Sequence, residues 1–319
     1  MSWDPIVATF TPWNIDRDEI RRLSVLSPGR GALHVAFEWA VVFGTIAVAQ
    51  KLRNAFVYVL AVMVIGARQH AMLILMHEAV HHRLFKSKRL NEIVGDALLA
   101  WPCLVSMRSF SRNHLAHHRY LNTTEDPDIV RKQNDPEWRF PMARSRLAWI
   151  LAKQFTGLGF IYLVQVFRSL DKNAADETVT YKRLRMGFYA AALAIILYAG
   201  VFKLFLLYWA LPFLTWLMFI FRIRTMSEHP KVERTSGYAT SLEYRLSLLE
   251  RMFVTPKYAF YHLEHHCYPS VPFYRLPELH KVLTSNEEFR KALRPISYAG
   301  LVRECSEPPA APLSPSLTA

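Results

Sequence analysis

The sequence predicts an all-α integral membrane protein: four transmembrane helices in two hairpins, interfacial helices beside them, and a cytosolic helical cap holding a two-metal site. Three observations carry this expectation. The 319 residues are 52% hydrophobic yet bear a formal net charge of +13, and the charges are segregated between apolar runs, as in membrane proteins and unlike soluble domains. Nine of the thirteen histidines stand in three clusters: His77-Glu-Ala-Val-His81-His82, His114-Leu-Ala-His117-His118 and His262-Leu-Glu-His265-His266. An apolar tract runs from Gly187 to Phe221. As one helix it would reach about 50 Å, well beyond a bilayer core of about 30 Å, so it should fold as two spans turning near Gly200 to Lys203.

Taken in order, residues 1–30 form a polar leader with Pro5, Pro12 and Pro28, whose Trp3, Phe10 and Trp13 either lie at the membrane interface or belong to a mobile segment. The first span is expected over about 32–50. A short link at Lys51 to Asn54 precedes the second, about 55–76, which delivers the chain into His77. Arg68, Gln69 and His70 interrupt that run; they either face the protein interior near substrate or snorkel. Arg83 to Arg89 is basic. Ile93 to Met107, with Asp96 and Pro102, is short for a span and reads as an interfacial or re-entrant helix. Ala148 to Phe167 reads as a helix lying in the interface. The remaining spans fall at about 186–201 and 204–222. The membrane domain covers 31–304, its cap 77–185 and 223–304, and residues 305–319 read as a disordered Pro/Ser/Ala tail.

Four spans put both termini and all three clusters on one side. The distribution of Lys and Arg favours the cytosol for that side, although Lys51 and Arg53 oppose the trend. No cleavable signal peptide is visible, because Asp4, Asp16, Asp18 and Glu19 interrupt the first thirty residues. Cys103, Cys267 and Cys305 have no paired spacing and fit a reducing compartment. The basic excess is assigned to membrane-facing loops. No basic patch with stacking aromatics points to nucleic acid.

The histidine spacing points to metal. Positions i, i+3 and i+4 share a helix face, so His114, His117 and His118 should project together, as should His262, His265 and His266. His77 and His81 share a face while His82 points away, which leaves His81, His82 or both as ligands. Neutral imidazole suits iron, zinc, copper and nickel, with carboxylates as partners that orient the rings. Glu78, Glu264, Asp126 and Asp128 are placed for that role, whereas the lone His34 and His280 read as satisfied polar residues. His77-Glu-Ala-Val-His81 also matches the H-E-x-x-H pattern of zinc proteases, but a protease leaves the two H-x-x-H-H clusters without work. A metal-transporting protein would line its spans with polar residues from end to end, and here they concentrate at one face.

The order His77-Glu-x-x-His81-His82, His114-x-x-His117-His118-x-x-x-Asn122 with Asp126-Pro-Asp128, then Tyr261-His262-Leu-Glu-His265-His266-Cys-Tyr-Pro269 and Leu276-Pro-Glu-Leu-His280 closely resembles the integral-membrane fatty acid desaturase and hydroxylase superfamily over about residues 30–285. The resemblance implies a non-haem di-iron centre, O2 as co-substrate, and a further ligand after the last span, where His229 stands. It implies oxidation of unactivated C–H bonds in a fatty acyl or lipid chain, with desaturation the leading outcome and hydroxylation, ketolation or oxidative decarboxylation possible on the same scaffold. Electrons would come from a ferredoxin, rubredoxin or cytochrome b5 type donor with its reductase. No cytochrome b5 domain is recognised in the chain, so a separate donor is expected, and a positive cytosolic face would suit an acidic one. Two positions depart from the pattern. Thr225 stands where acyl-CoA desaturases have a metal-linked asparagine, and Phe260 where an asparagine is frequent.

Overall fold

The computed structural model describes residues 15–306, apart from 28, 122, 134, 173–176 and 229–241. The leader as far as residue 14, the tail from 307 and His229 therefore lie outside the described residues. In the described part of the leader, α1 (Arg17–Leu23) is capped by the Asp16 side chain, and its Leu23 is buried. Ser24 and Ser270 share a hydrogen bond (2.9 Å), and the Ser27 amide donates to the Tyr274 hydroxyl (2.9 Å). This stretch is thus folded onto the cap.

α2 (Arg30–Leu52) and α3 (Ala55–Val80) form an antiparallel hairpin. The turn is fixed by Arg53 in the left-handed region and by Asn54, whose side chain accepts from the Phe56 and Val57 amides. α2 rises about 35 Å and α3 about 39 Å, so α3 is longer than a bilayer core of about 30 Å and carries His77 in its last turn. α3 is also the most enclosed of the apolar helices, packed by α2, α4 (Lys88–Cys103) and α10 (Phe202–Glu228). Gly66 permits the approach of α10: a Cβ there would meet Trp216 Cβ at 2.9 Å.

The cap begins after α3. α4 leads through Leu104, at φ 58°, into α5 (Met107–Arg119), and the pair bends by 98°. The bend falls where an interfacial or re-entrant helix was expected, near Ile93 to Met107. α6 (Pro127–Gln133) follows. The expected single interfacial helix over Ala148 to Phe167 is instead two, α7 (Arg144–Thr156) and α8 (Gly159–Lys172), bent by 86°. The break is at Gly157, whose φ of 81° suits glycine and stops helix propagation.

α9 (Val179–Tyr198) starts earlier than the span expected at 186–201 and carries Lys182, Arg183 and Arg185 in its first turns. The chain reverses at Gly200, as expected. Among the described residues, three helices, α2, α3 and α10, are long and apolar enough to cross a membrane, and the two bent pairs raise the number to five at most. α10 carries π-helical turns on both sides of Pro212, whose missing amide hydrogen cannot complete the regular ladder.

Beyond α10 come α11 (Leu248–Phe253), α12 (His262–Cys267), α13 (Leu276–Ser285), α14 (Glu287–Ala292) and α15 (Tyr298–Ser306). The all-α expectation needs one correction: β1 (Leu242–Tyr244) pairs in parallel with β2 (Arg294–Ile296). Backbone pairing joins two distant cap segments there, which no hydrophobic period in three residues could announce.

A buried ion cluster ties the cap to the hairpin. Glu38 on α2 is fully buried; its Oε2 lies 3.2 Å from Arg68 Nη1 and its Oε1 2.6 Å from Lys257 Nζ. Lys257 also donates to His34 Nδ1 (3.0 Å), and Arg68 donates to the Met252 carbonyl (3.0 Å). Lys257 and Tyr258 both hold positive φ, 58° and 57°, a conformation non-glycine residues keep only when surroundings impose it. Of the two readings left open for Arg68, the structure selects the interior one. Lys257→Met should lower stability by on the order of 3 kcal/mol, because it strips a buried carboxylate of one cation. Adding Glu38→Gln should restore part of the loss, as read from thermal unfolding in detergent.

Candidate metal centre

Each histidine cluster sits on a short length of helix that fixes its direction. His77 is in the last turn of α3, and His81 caps that helix. His82 then adopts φ 56°, turning its side chain off the helix path. His114, His117 and His118 occupy the C-terminal half of α5, and His262, His265 and His266 make up half of the short helix α12.

The clusters converge into two groups. His77, His81, His114, His118 and His265 form one, and His117, His262 and His266 the other, with the ligating nitrogens in each group within 4.8 Å of one another. The closest approaches are His81 Nε2 to His114 Nε2 (2.8 Å), His118 Nε2 to His114 Nε2 (3.0 Å), His265 Nε2 to His118 Nε2 (3.2 Å) and His266 Nε2 to His262 Nε2 (3.0 Å). Two imidazoles at right angles on an ion, with metal–nitrogen bonds of about 2.0–2.1 Å, would bring their nitrogens to about 3 Å. The geometry therefore fits metal ligation. The rings of His118 and His266 stack at 4.3 Å and join the groups.

The expected three-imidazole claws are each divided. On α5, His114 and His118 turn to the five-histidine group and His117 to the other; on α12, His262 and His266 go together and His265 crosses over. The reason is angular. Neighbours such as His117 and His118 diverge by about 100° around the axis, although both lie within reach of residue 114. The sequence left His81 and His82 open. The structure brings in His81 and leaves the half-buried His82 outside both groups.

Burial first, then the neighbouring imidazoles, hold His81 and His265 well below the ordinary histidine range, so both are neutral and present a lone pair. The carboxylates take different parts. His117 Nδ1 donates to Asp126 Oδ1 (2.9 Å), which leaves Nε2 as the ligating atom. Glu78 Oε1 lies 3.6 Å from His77 Nδ1, and its Oε2 accepts from the Phe273 amide (2.9 Å). Asp128 instead pairs with Arg131 (3.1 Å), and Glu264 accepts from His280 Nδ1 (2.5 Å). His280, read as a lone polar residue, thus supports the third cluster from α13. Thr225 spends its hydroxyl on the Phe221 carbonyl (2.7 Å) and faces the cavity below the histidines.

That cavity, of about 270 Å³, opens against His77, His114, His262 and His265. One part of its wall is apolar, with Leu73, Ile74, Val105, Leu163 and Met218. Another is charged, with Arg131, Arg222, Arg224 and Glu228. The sequence flagged His70 near substrate, and it does line the cavity. It singled out none of Arg131, Tyr162, Arg222 and Arg224, which lie on three separate helices and share no motif. Asp126→Ala should weaken the hold on the ion at His117, His262 and His266 by about 10–100-fold while the five-histidine group stays loaded. Metal retained per chain under chelator challenge measures both.

Comparison with known proteins agrees with this arrangement. The family model "Fatty acid desaturase" matches residues 54–297. A curated relative, "Dihydrorhizobitoxine desaturase" of Bradyrhizobium elkanii, is 26% identical over 321 residues, covering 94% of this chain and 88% of its own length. With all three histidine clusters inside the matched region, the chain belongs to the fatty acid desaturase family.

Proposed function

We propose that this protein is an oxygen-dependent di-iron membrane oxidase that desaturates a fatty acyl or lipid chain. The observation that carries the reading is the pair of converging histidine groups against a partly apolar cavity. Two irons, when bound, supply from O2 and two donated electrons an oxidant able to take hydrogen from an unactivated C–H bond, with water as the by-product. The rest falls to the protein. His77, His81, His114, His118 and His265 would hold one ion, and His117, His262 and His266 the other. His229, just after α10, is proposed as a further ligand, while His82, outside both groups, is the weakest of the expected ligands.

Asp126 and Glu78 keep His117 and His77 in the orientation ligation needs. Leu73, Ile74, Val105 and Leu163 would bind the chain and keep water from the reacting carbons. A separate ferredoxin, rubredoxin or cytochrome b5 type donor would supply the electrons. Four spans in two hairpins, with the site and both termini cytosolic, complete the proposal; α9 would be the short third span. Desaturation is chosen over hydroxylation, ketolation and decarboxylation because the curated relative is named a desaturase.

Purified protein should hold two irons per chain, and His117→Ala or His265→Ala should lose both iron and product while still inserting. Expression in a host of simple lipid profile, with and without oxygen, followed by mass spectrometry should reveal a new double bond only with oxygen. A hydroxylated or shortened product would reassign the reaction. One zinc and no iron would overturn the oxidase reading.

A further inference from the structure

We propose that the cavity takes its substrate with a free carboxylate, which Arg131, Tyr162 and Arg222 bind beside the metal centre. The inference rests on the oxidase reading and names its substrate class. The three residues come from three elements, α6, α8 and α10, and line the same cavity as the histidines.

Their hydrogen-bonding capacity is largely unspent. A guanidinium carries five N–H donors. Arg131 uses one, to Asp128 (3.1 Å), and Arg222 uses one, to the Glu137 carbonyl (2.5 Å). Arg222 is nearly fully buried, 4% exposed. Its charge is met by a loose contact to Glu137 Oε2 (3.7 Å), a carboxylate shared with Lys153, and by the face of Trp138 (4.0 Å). Among the described residues, Arg131 Nε, Arg222 Nε and the Tyr162 hydroxyl are buried without a hydrogen-bond partner. Arg224, by contrast, is neutralised by Glu228 (2.5 Å) and bonded to His70 (3.1 Å).

Asp128 and Glu228 also line the cavity, but Arg131 Nε, Arg222 Nε and the Tyr162 hydroxyl still lack acceptors. Buried donors left unmade are costly, and a carboxylate, which accepts at both oxygens and pairs with guanidinium in matched planar geometry, relieves that deficit. An ester or thioester carbonyl accepts at one oxygen without charge and relieves less of it. The wall is also close to the ions. Arg131 stands five residues beyond Asp126, which holds His117, and so within about 8 Å of helix rise from that carboxylate. A chain held by its carboxylate there would present its carbons to the cavity that the histidines line.

The test uses metal-loaded full-length protein in detergent and isothermal titration with decanoate, methyl decanoate and 2-aminodecanoate. Decanoate should bind at least about tenfold more tightly than its ester. Tyr162→Phe, which removes one hydroxyl, and Arg131→Gln should each erase most of that difference and leave ester binding unchanged. Preference for 2-aminodecanoate also supports the site and places an ammonium group against Asp128 or Glu228. Equal affinity for acid and ester, or an acid preference untouched by Tyr162→Phe, overturns the proposal. Tight carboxylate binding without any oxidised product overturns the oxidase reading alone, whereas oxidation of esterified chains with no acid preference overturns the carboxylate site alone.

Discussion

Eight imidazoles gathered into two groups, with nitrogens in each group within 4.8 Å of one another, form the constraint on which the rest of this structure depends. A cation among them would take their lone pairs as ligands. Three separate helices hold these imidazoles in place. The protein meets this with short, well-capped lengths of helix. α3 is longer than a bilayer core needs, α5 is turned by a 98° bend, and α12 is only long enough to carry its motif. Carboxylates at Asp126 and Glu78 then fix the rings from behind.

The same demand explains charge placed where a membrane protein usually avoids it. Glu38, Arg68 and Lys257 satisfy one another inside the α2–α3 hairpin, and Lys257 lies five residues before His262. Because its backbone is held in the left-handed region, the segment entering α12 cannot drift without separating a buried carboxylate from its cation. The approach of α3 and α10 at Gly66 and Trp216 sets the other side of the frame. The cavity between these elements inherits two chemistries: apolar from α3 and α8, cationic from α6 and α10.

What the sequence by itself determined was local and periodic. Histidines three and four residues apart declare helix faces whatever surrounds them, and long apolar runs declare candidate spans, so the helical class, the histidine clusters and the helix breaks near Met107 and Gly200 were legible. Tertiary structure decided what depends on direction and distance. It divided each claw between two groups, because a 100° step sends adjacent histidines in different directions. It chose His81 over His82, because a left-handed turn follows the helix end. It also gathered Arg131, Tyr162 and Arg222 onto one wall. They lie in separate segments with no common period, and only packing brings them together.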